Sequence, residues 1–548
     1  MVFPGSVKYS LQSSQDFRDL FNVNVEYKNA DGSMSSAVVK YDNWTVSMSN
    51  SDDFEPEMTV SFTSRNKELT AESYDMVLLP DITVTTSQKP SFKKDLTRAE
   101  SQETFSFKVP KGTDDLSIRI APLKYDKHFV FCFTVDDSYV NGWSRIFALI
   151  NGRWIDDTEF FHEGVERTTG YYPEHPLCIT DGCGNDRRFT FGEAIWPNCW
   201  NNYNPKGLIQ DNITSIYNPY ISWSELQVMT DLGNAVYWHN VDSTKYDQTL
   251  PDEIVQGLAA DYEKTFAKIG YPMKTLAQPD GNPNYLLAAA KSPLVYLSRC
   301  THTSEGLHLS HCGSMYKMEV YGGTADYSID KKLAELAEQA AADDPILISL
   351  LAHRPGDDYM AFLNTLYDLY GKGGADNLWM TSYDELYEYI ELRTRAVITH
   401  HTEGTYEQYD VSVPIDEKFL FDELSFIVEG ATGKAEPVSA NLYGFSSALQ
   451  DDGALLVNCG FGDRNKVLAE KYIERYAEGY VSDYKEYAEY LISLLREDLR
   501  PSLLDQLGDV TEPSQEDFPL NGVYTRRQME WYLQFYDGYS FTITPEDK

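Results

Sequence analysis

HFVFCFTVDDSYVNGW, residues 128–143, decides how this chain is read. Phe129 to Val135 is an apolar run of strand length, and it stops abruptly at two adjacent carboxylates, Asp136 and Asp137. A run without polar alternation suits a strand covered on both faces, as in a parallel sheet flanked by helices. Like charges side by side repel, and a divalent cation is a common compensation. One carboxylate can then bind metal while its neighbour works as a base. Parallel barrels collect their chemistry at the C-terminal ends of strands, which is where the pair stands. Two solvated turn residues at the start of a helix would look the same in isolation, so the decision rests on the other strand ends.

Downstream, short apolar runs alternate with helical patterns from about residue 126 to 395. AVYW, MKTLA, LVYLSR, PILISLLA and LWMTS read as strands. SWSELQVMTDLG, PDEIVQGLAADYEKTFAKIG, DKKLAELAEQAAADD and YDELYEYIELRTR read as helices, several with Ser or Pro starts and Gly stops. About seven strands in such alternation point to a parallel (β/α) barrel. The expected strand ends repeat the opening signal. AVYW runs straight into His239, with Asp242 and Ser243 just beyond; PILISLLA runs into His353; MKTLA leads to Gln278 and Asp280. A single His after a strand is ordinary, but two on one rim with a carboxylate pair suit a mixed N and O site for zinc or a similar ion. Residues 152–220, rich in Gly, Pro, Asn, Trp and Tyr, read as a long excursion after the first strand.

In this order the segments resemble the polysaccharide deacetylase family with the NodB homology domain, carbohydrate esterase family 4. FTVDDSY is similar to the family's T-F-D-D-G motif, WHNVDS stands where it has H-[ST]-x-x-H, AQPDG resembles its R-P-P-[YF]-G segment, and LLAH its closing L-H. The resemblance implies a NodB-like (β/α)7-type barrel over residues 126–395 and a metal-dependent hydrolase that removes acetyl groups from a glycan. It implies Asp136 as general base, His353 as general acid, and Asp137 and His239 as metal ligands. The second ligand histidine of the family falls on Ser243, with Asp242 one residue earlier as its possible replacement. Gln278 stands in place of the arginine that orients the base, and with Asp280 would face substrate. Ser138 replaces the glycine after the two aspartates. The implied cofactor is a divalent ion, zinc first. These departures keep a rival open, a glycan-binding or scaffolding protein on the same barrel with a weakened metal site, and the long excursion leaves room for a hydrolase of a different bond.

The flanks have another texture. Residues 1–125 read as all-β, with VNVEYKNADGSMSSAVVKY forming two strands around a DG turn, and suggest an immunoglobulin-like β-sandwich. Residues 396–548 return to β texture and then to helical runs. The expectation is a multidomain α/β protein with all-β modules: sandwich, barrel, and a C-terminal β-plus-helical region.

Composition limits the partners. With 46 Lys and Arg against 85 Asp and Glu, the net charge is −39, which disfavours nucleic acid and anionic membrane. No apolar run reaches the roughly 18–20 residues a membrane-spanning helix needs. The start, MVFPGSVKYSLQ, lacks the pattern of an export signal, so the sequence fits either a cytoplasmic protein or an exported one in mature form; the glycan-directed reading favours an extracytoplasmic site. Seven cysteines, without a CxxC, leave at least one free thiol and argue against a zinc ribbon. His302, His308 and His311 in CTHTSEGLHLSHC, and Asp181 and Asp186 in TDGCGND, are secondary candidates for a cation.

Overall fold

The computed structural model describes residues 100–152 (except 114), 175–197, 220–241, 249–301, 306–323, 328–479 and 482–510, and six strands before residue 100. The chain divides into two compact units, Met1–Thr97 and Arg98–Lys548. In the first, β1 (Val7–Ser13), β2 (Phe21–Lys28), β3 (Met34–Val39), β4 (Asn43–Ser47), β5 (Met58–Ser64) and β6 (Ile82–Gln88) form two antiparallel sheets, ordered β4-β1-β6 and β3-β2-β5. β2 and β3 are the two strands expected around the DG turn.

The second unit opens with β7 (Glu100–Pro110) and β8 (Ser117–Ile120), and the chain then enters the barrel. Its parallel strands are β9 (Phe129–Val135), β12 (Gly192–Ile195), β13 (Ala235–Trp238), β14 (Thr275–Ala277), β15 (Leu297–Cys300), β16 (Met318–Tyr321), β17 (Ile348–Ala352) and β18 (Leu378–Thr381). A short hairpin, β10 (Cys178–Thr180) and β11 (Asp186–Arg188), precedes β12. The sheet runs β16-β15-β14-β13-β12-β9-β17, and β18 adds to the first half of β9. All seven residues of β9 are buried, as its unbroken apolar run requires. The two ends of the sheet nearly meet. The Tyr383 hydroxyl donates to Tyr321 O of β16 at 3.2 Å and accepts from Ser349 Oγ of β17 at 2.6 Å. A Cβ at Gly323 would fall 3.0 Å from Ser349 O, so a side chain there would hold the two ends apart.

The barrel helices are α1 (Trp223–Asp231), α2 (Pro251–Ile269), α3 (Pro283–Lys291), α4 (Ile329–Ala340), α5 (Asp357–Tyr370) and α6 (Tyr383–Arg395). Local chemistry sets their ends. Ser222 and Glu225 close a capping box on α1, and α2 starts at Pro251 and stops at Gly270, whose φ is 65°. After β9 the chain makes a π-helical turn, Gly142–Phe147.

Beyond the barrel come β19 (Val397–Glu403), β20 (Tyr406–Asp416), β21 (Glu423–Glu429), β22 (Glu436–Pro437), β23 (Gly444–Leu449) and β24 (Leu455–Gly460), then α7 (Arg464–Gly479), α8 (Ser482–Ser493) and α9 (Arg500–Gly508). These strands take β7 and β8 into two antiparallel sheets, β19-β20-β7-β22 and β23-β24-β21-β8. Phe105 and Phe107 of β7 meet Phe426 of β21 at ring distances of 6.2 and 5.2 Å, so the sheets pack face to face as a sandwich. TFSFKVP and LSIRIAPL therefore pair with strands some 300 residues later in the chain rather than with β1–β6. Alternation reveals a strand but not its partner. Lys418, between β20 and β21, runs back toward the barrel, donating to Leu294 O at 2.9 Å and Met273 O at 3.2 Å and lying 4.5 Å from the Tyr262 ring centre.

Candidate active site

β9, β13 and β17 end on one rim, and each delivers a polar side chain as soon as its pairing stops. Asp136 N–H still donates to Ala352 O of β17 at 2.8 Å, which ties the two strand ends together. The chain then turns sharply: Asp137 has φ 72° and Ser138 φ 59°. Two successive residues with side chains in the left-handed region cost about 1–2 kcal/mol each, a kind of strain that persists where surroundings enforce it. Here Ser138 Oγ accepts from Trp196 N at 2.9 Å, its N–H donates to Ala194 O at 3.2 Å, and its carbonyl accepts from Ile221 N at 2.9 Å. The serine hydroxyl gives this position an anchor that the glycine expected there would lack.

The turn sends the two carboxylates to different partners. Asp137 Oδ1 lies 3.3 Å from His239 Nε2, and its Oδ2 lies 3.7 Å from His353 Nε2. His239 Nδ1 contacts Ala277 O at 2.9 Å. A carbonyl only accepts, so Nδ1 carries a proton, and in the neutral ring Nε2 turns its lone pair toward Asp137. Burial works against the His239 cation, but the Asp136 and Asp137 carboxylates outweigh it and raise the imidazole above its ordinary value. Burial would push Asp137 up; the His239 contact and the charges of His239 and His353 hold it below the usual carboxylate range instead. Trp196 lies 5.9 Å from the His239 ring, and the His353 side chain is 45% exposed, so Asp137 and His353 face the open side of the rim.

Asp136 points inward. Its Oδ2 receives Arg299 Nη2 at 2.6 Å, and both side chains are almost fully buried. Its Oδ1 has no hydrogen-bond partner among the described residues. Arg299 comes from β15, so a cation beside Asp136, of the kind that the motif comparison found replaced at Gln278, is supplied by the next strand. Gln278 is buried, with its amide N–H donating to Asn282 O at 3.0 Å and its amide oxygen accepting from Thr301 N at 3.2 Å. It braces the turn after β14. Asp280 is exposed on that turn with φ 48°. Asp242 and Ser243 lie outside the described residues.

Two further residues escaped the sequence reading. Arg299 is the penultimate residue of β15, and its position at the end of LVYLSR was the available signal. Glu193, on β12, is fully buried, and neither carboxyl oxygen has a hydrogen-bond partner among the described residues. Burial, then the Asp136 and Asp137 charges, pushes it far above the ordinary carboxyl value, so it stands as a neutral acid behind the aspartates. A Cβ at Gly142 would fall 2.1 Å from Glu193 Oε2, which explains a glycine at the start of the π-helical turn.

The donor set bears on a metal. One carboxylate and one imidazole with its lone pair turned inward are suitable ligands for a zinc-like ion. Among the described residues no group of three His, Cys, Asp or Glu side chains forms a ready cage. The secondary candidates are engaged elsewhere. Asp181 accepts from Cys183 N, Asn185 N, Asn185 Nδ2 and Ser446 Oγ at 2.8–3.0 Å, and Asp186 pairs with Lys372 at 2.6 Å. His308 and His311 lie 3.0 and 3.6 Å from Asp344 on the surface, and His302 is outside the described residues. Six cysteines, Cys199 not among those described, are free thiols.

A family model described as "Putative polysaccharide deacetylase" matches residues 157–506. The chain belongs to this polysaccharide deacetylase family. The matched span takes in most of the barrel, the strands after it and α7 and α8, and begins after the two aspartates. Membership in this family supports a polysaccharide deacetylase-like hydrolase. No curated protein matches it. Among solved structures it is similar to the Xyl-CE4 domain of a multidomain xylanase from the hindgut metagenome of Trinervitermes trinervoides, at 12% identity and a TM-score of 0.27 over 48% of this chain and 90% of that one. It is also similar to a mutant form of the peptidoglycan deacetylase PdaC from Bacillus subtilis, at 12% identity and a TM-score of 0.25 over 48% and 93%. Among the described residues no helix is long and apolar enough to cross a membrane.

Proposed function

We propose that this polysaccharide deacetylase family member hydrolyses acetyl groups from an N-acetylated or O-acetylated glycan. The observation that carries the reading is the convergence of Asp136, Asp137, His239 and His353 at the ends of β9, β13 and β17, with Arg299 fixing Asp136 from a fourth strand.

Asp137 and His239 would hold a divalent ion, zinc foremost, with Asp242 a further candidate. Such an ion, when bound, polarises the acetyl carbonyl and stabilises the oxyanion. The remaining chemistry belongs to the side chains. Arg299 occupies Asp136 Oδ2 and leaves Oδ1 to accept a proton from the attacking water. The water oxygen bonds to the acetyl carbon, the C–N or C–O bond breaks, and acetate leaves. His353, exposed at the rim, gives a proton to the departing amine or alkoxide. Glu193 keeps a neutral acid behind the pair and adds no third negative charge. Asp280 sits where it can touch a sugar hydroxyl, while Gln278 acts through the turn that presents it. A polymer substrate of this kind favours action outside the cytoplasm.

One observation favours the rival, a glycan-binding barrel: the absence of a ready three-residue cage among the described residues. Metal content and acetate release separate the two. Stoichiometric zinc or cobalt that is lost in Asp137→Ala/His239→Ala, together with acetate release from acetylated glycans, supports the hydrolase. Protein that takes up no ion and releases no acetate from any acetylated glycan sinks it.

A further inference from the structure

Arg354 follows His353 on the same rim and is exposed. Its guanidinium carbon lies 4.1 Å from the centre of the Tyr139 ring, two residues beyond Asp137. Tyr139 is itself fixed. It stacks on Tyr220 at 5.5 Å with ring planes 17° apart, and the two backbones form an isolated bridge. The loop beneath is tied down where Asn141 Nδ2 donates to Pro355 O at 3.3 Å. An aromatic face attracts the cation without using any of its five N–H donors.

Two arginines of the barrel unit pair with carboxylates. Arg299 has Asp136 at 2.6 Å, and Arg145 has Asp357 at 2.8 Å. Among the described residues no carboxylate pairs with Arg354; a tyrosine ring positions it instead. A planar guanidinium held in this way, with its donors open to solvent, matches a carboxylate better than it matches a hydroxyl. Without a local cation the overall field of −39 would repel an anionic ligand.

We propose that Arg354 reads an anionic substituent of the glycan, a carboxylate on or next to the sugar that carries the acetyl group. This rests on the deacetylase reading of the same rim and narrows its substrate class to acidic glycans. Tyr139 is the positioning residue that aims the guanidinium.

The test compares two probes of equal length: an oligosaccharide alternating N-acetylglucosamine with glucuronate, and a neutral N-acetylglucosamine oligomer. The readout is the ratio of their kcat/KM values for acetate release. Arg354→Gln should lower the acidic-to-neutral ratio ten-fold or more, Arg354→Lys should recover part of it, and added salt should lower it in the wild type. A ratio unchanged in Arg354→Gln overturns the proposal even if total activity falls. If the wild type releases acetate from neither probe, the deacetylase reading fails separately, and calorimetric binding of the same probes decides. Preference for the acidic oligomer that disappears in Arg354→Gln upholds the anion site; equal binding of both oligomers, or a preference that survives the substitution, overturns it.

Discussion

Arg299 and Asp136 meet at 2.6 Å across the barrel, from strands that are not neighbours in the sheet, and both are almost fully buried. Removing one partner leaves an uncompensated charge in a low-dielectric interior, which typically costs about 3–5 kcal/mol. Arg299→Met should therefore lower stability by that order in denaturant titrations and reduce acetate release about 100-fold or more. Arg299→Met/Asp136→Asn should regain most of the stability and none of the activity. Recovery of both would mean that Asp136 is not the base.

His353 and His239 touch the same carboxylate but should separate by experiment. His239→Gln should weaken zinc or cobalt binding by more than the ~10–100-fold that loss of an outer contact costs. His353→Ala should keep the metal and lose about 10²–10⁴ in kcat, the usual worth of a proton donor. The loss should shrink on an acetyl ester with an activated leaving group, which needs no protonation. An equal loss on both substrates would remove His353 from the acid role.

Ser138 joins a left-handed backbone to a hydrogen bond. Ser138→Ala keeps the unfavourable φ of 59° and leaves Trp196 N–H without its acceptor. The lost bond should cost about 1–3 kcal/mol. Ser138→Gly loses the same bond but adopts this φ without strain, so it should exceed the alanine variant in stability by about 1 kcal/mol. Equal unfolding midpoints for the two variants would show that the strain is not felt.

Lys418 should give the fold a pH dependence of known sign. Burial, and then the charge of Lys274, pushes its ammonium down to about 7. The unfolded chain holds that proton up to about 10.4. Below pH 7 the lysine is charged in both states and its burial cost is felt in full. Between about 7 and 10 only the unfolded state keeps the proton, so stability rises with pH, by at most about 1.4 kcal/mol per unit. The difference in unfolding free energy between wild type and Lys418→Met should move in the wild type's favour from pH 7 to 9. A difference that stays flat over that range would refute the shift.

The rim was legible because its residues follow strands directly. The run from Phe129 to Val135 announced a buried strand, and the residue after each such strand lands on one end of a parallel sheet. Asp136, Asp137, His239 and His353 could thus be placed together from spacing alone. Arg299 was not found, because its partner lies 163 positions away and crosses the barrel interior. Gln278 shows the reverse: a position matched to a motif turned out to be filled by local hydrogen bonds. Glu193 was invisible because nothing in GEAI distinguishes a buried acid from a solvated one. The pairing of β7 with β20 was missed for the same reason as Arg299, since alternation records which face a residue takes and not which strand lies beside it.

That pairing has a consequence for how the protein comes into being. β7 and β8 leave the ribosome before the barrel, while the strands that complete their sheets follow only after α6. The barrel is thus an insertion inside a discontinuous sandwich, and for most of synthesis two half-apolar strands wait with open edges. A fragment cut at residue 126 would strip both sheets of a strand and uncover Phe426 and Tyr409, so a deletion meant to isolate the barrel should aggregate, whereas one that begins at Arg98 keeps every strand partner of the second unit.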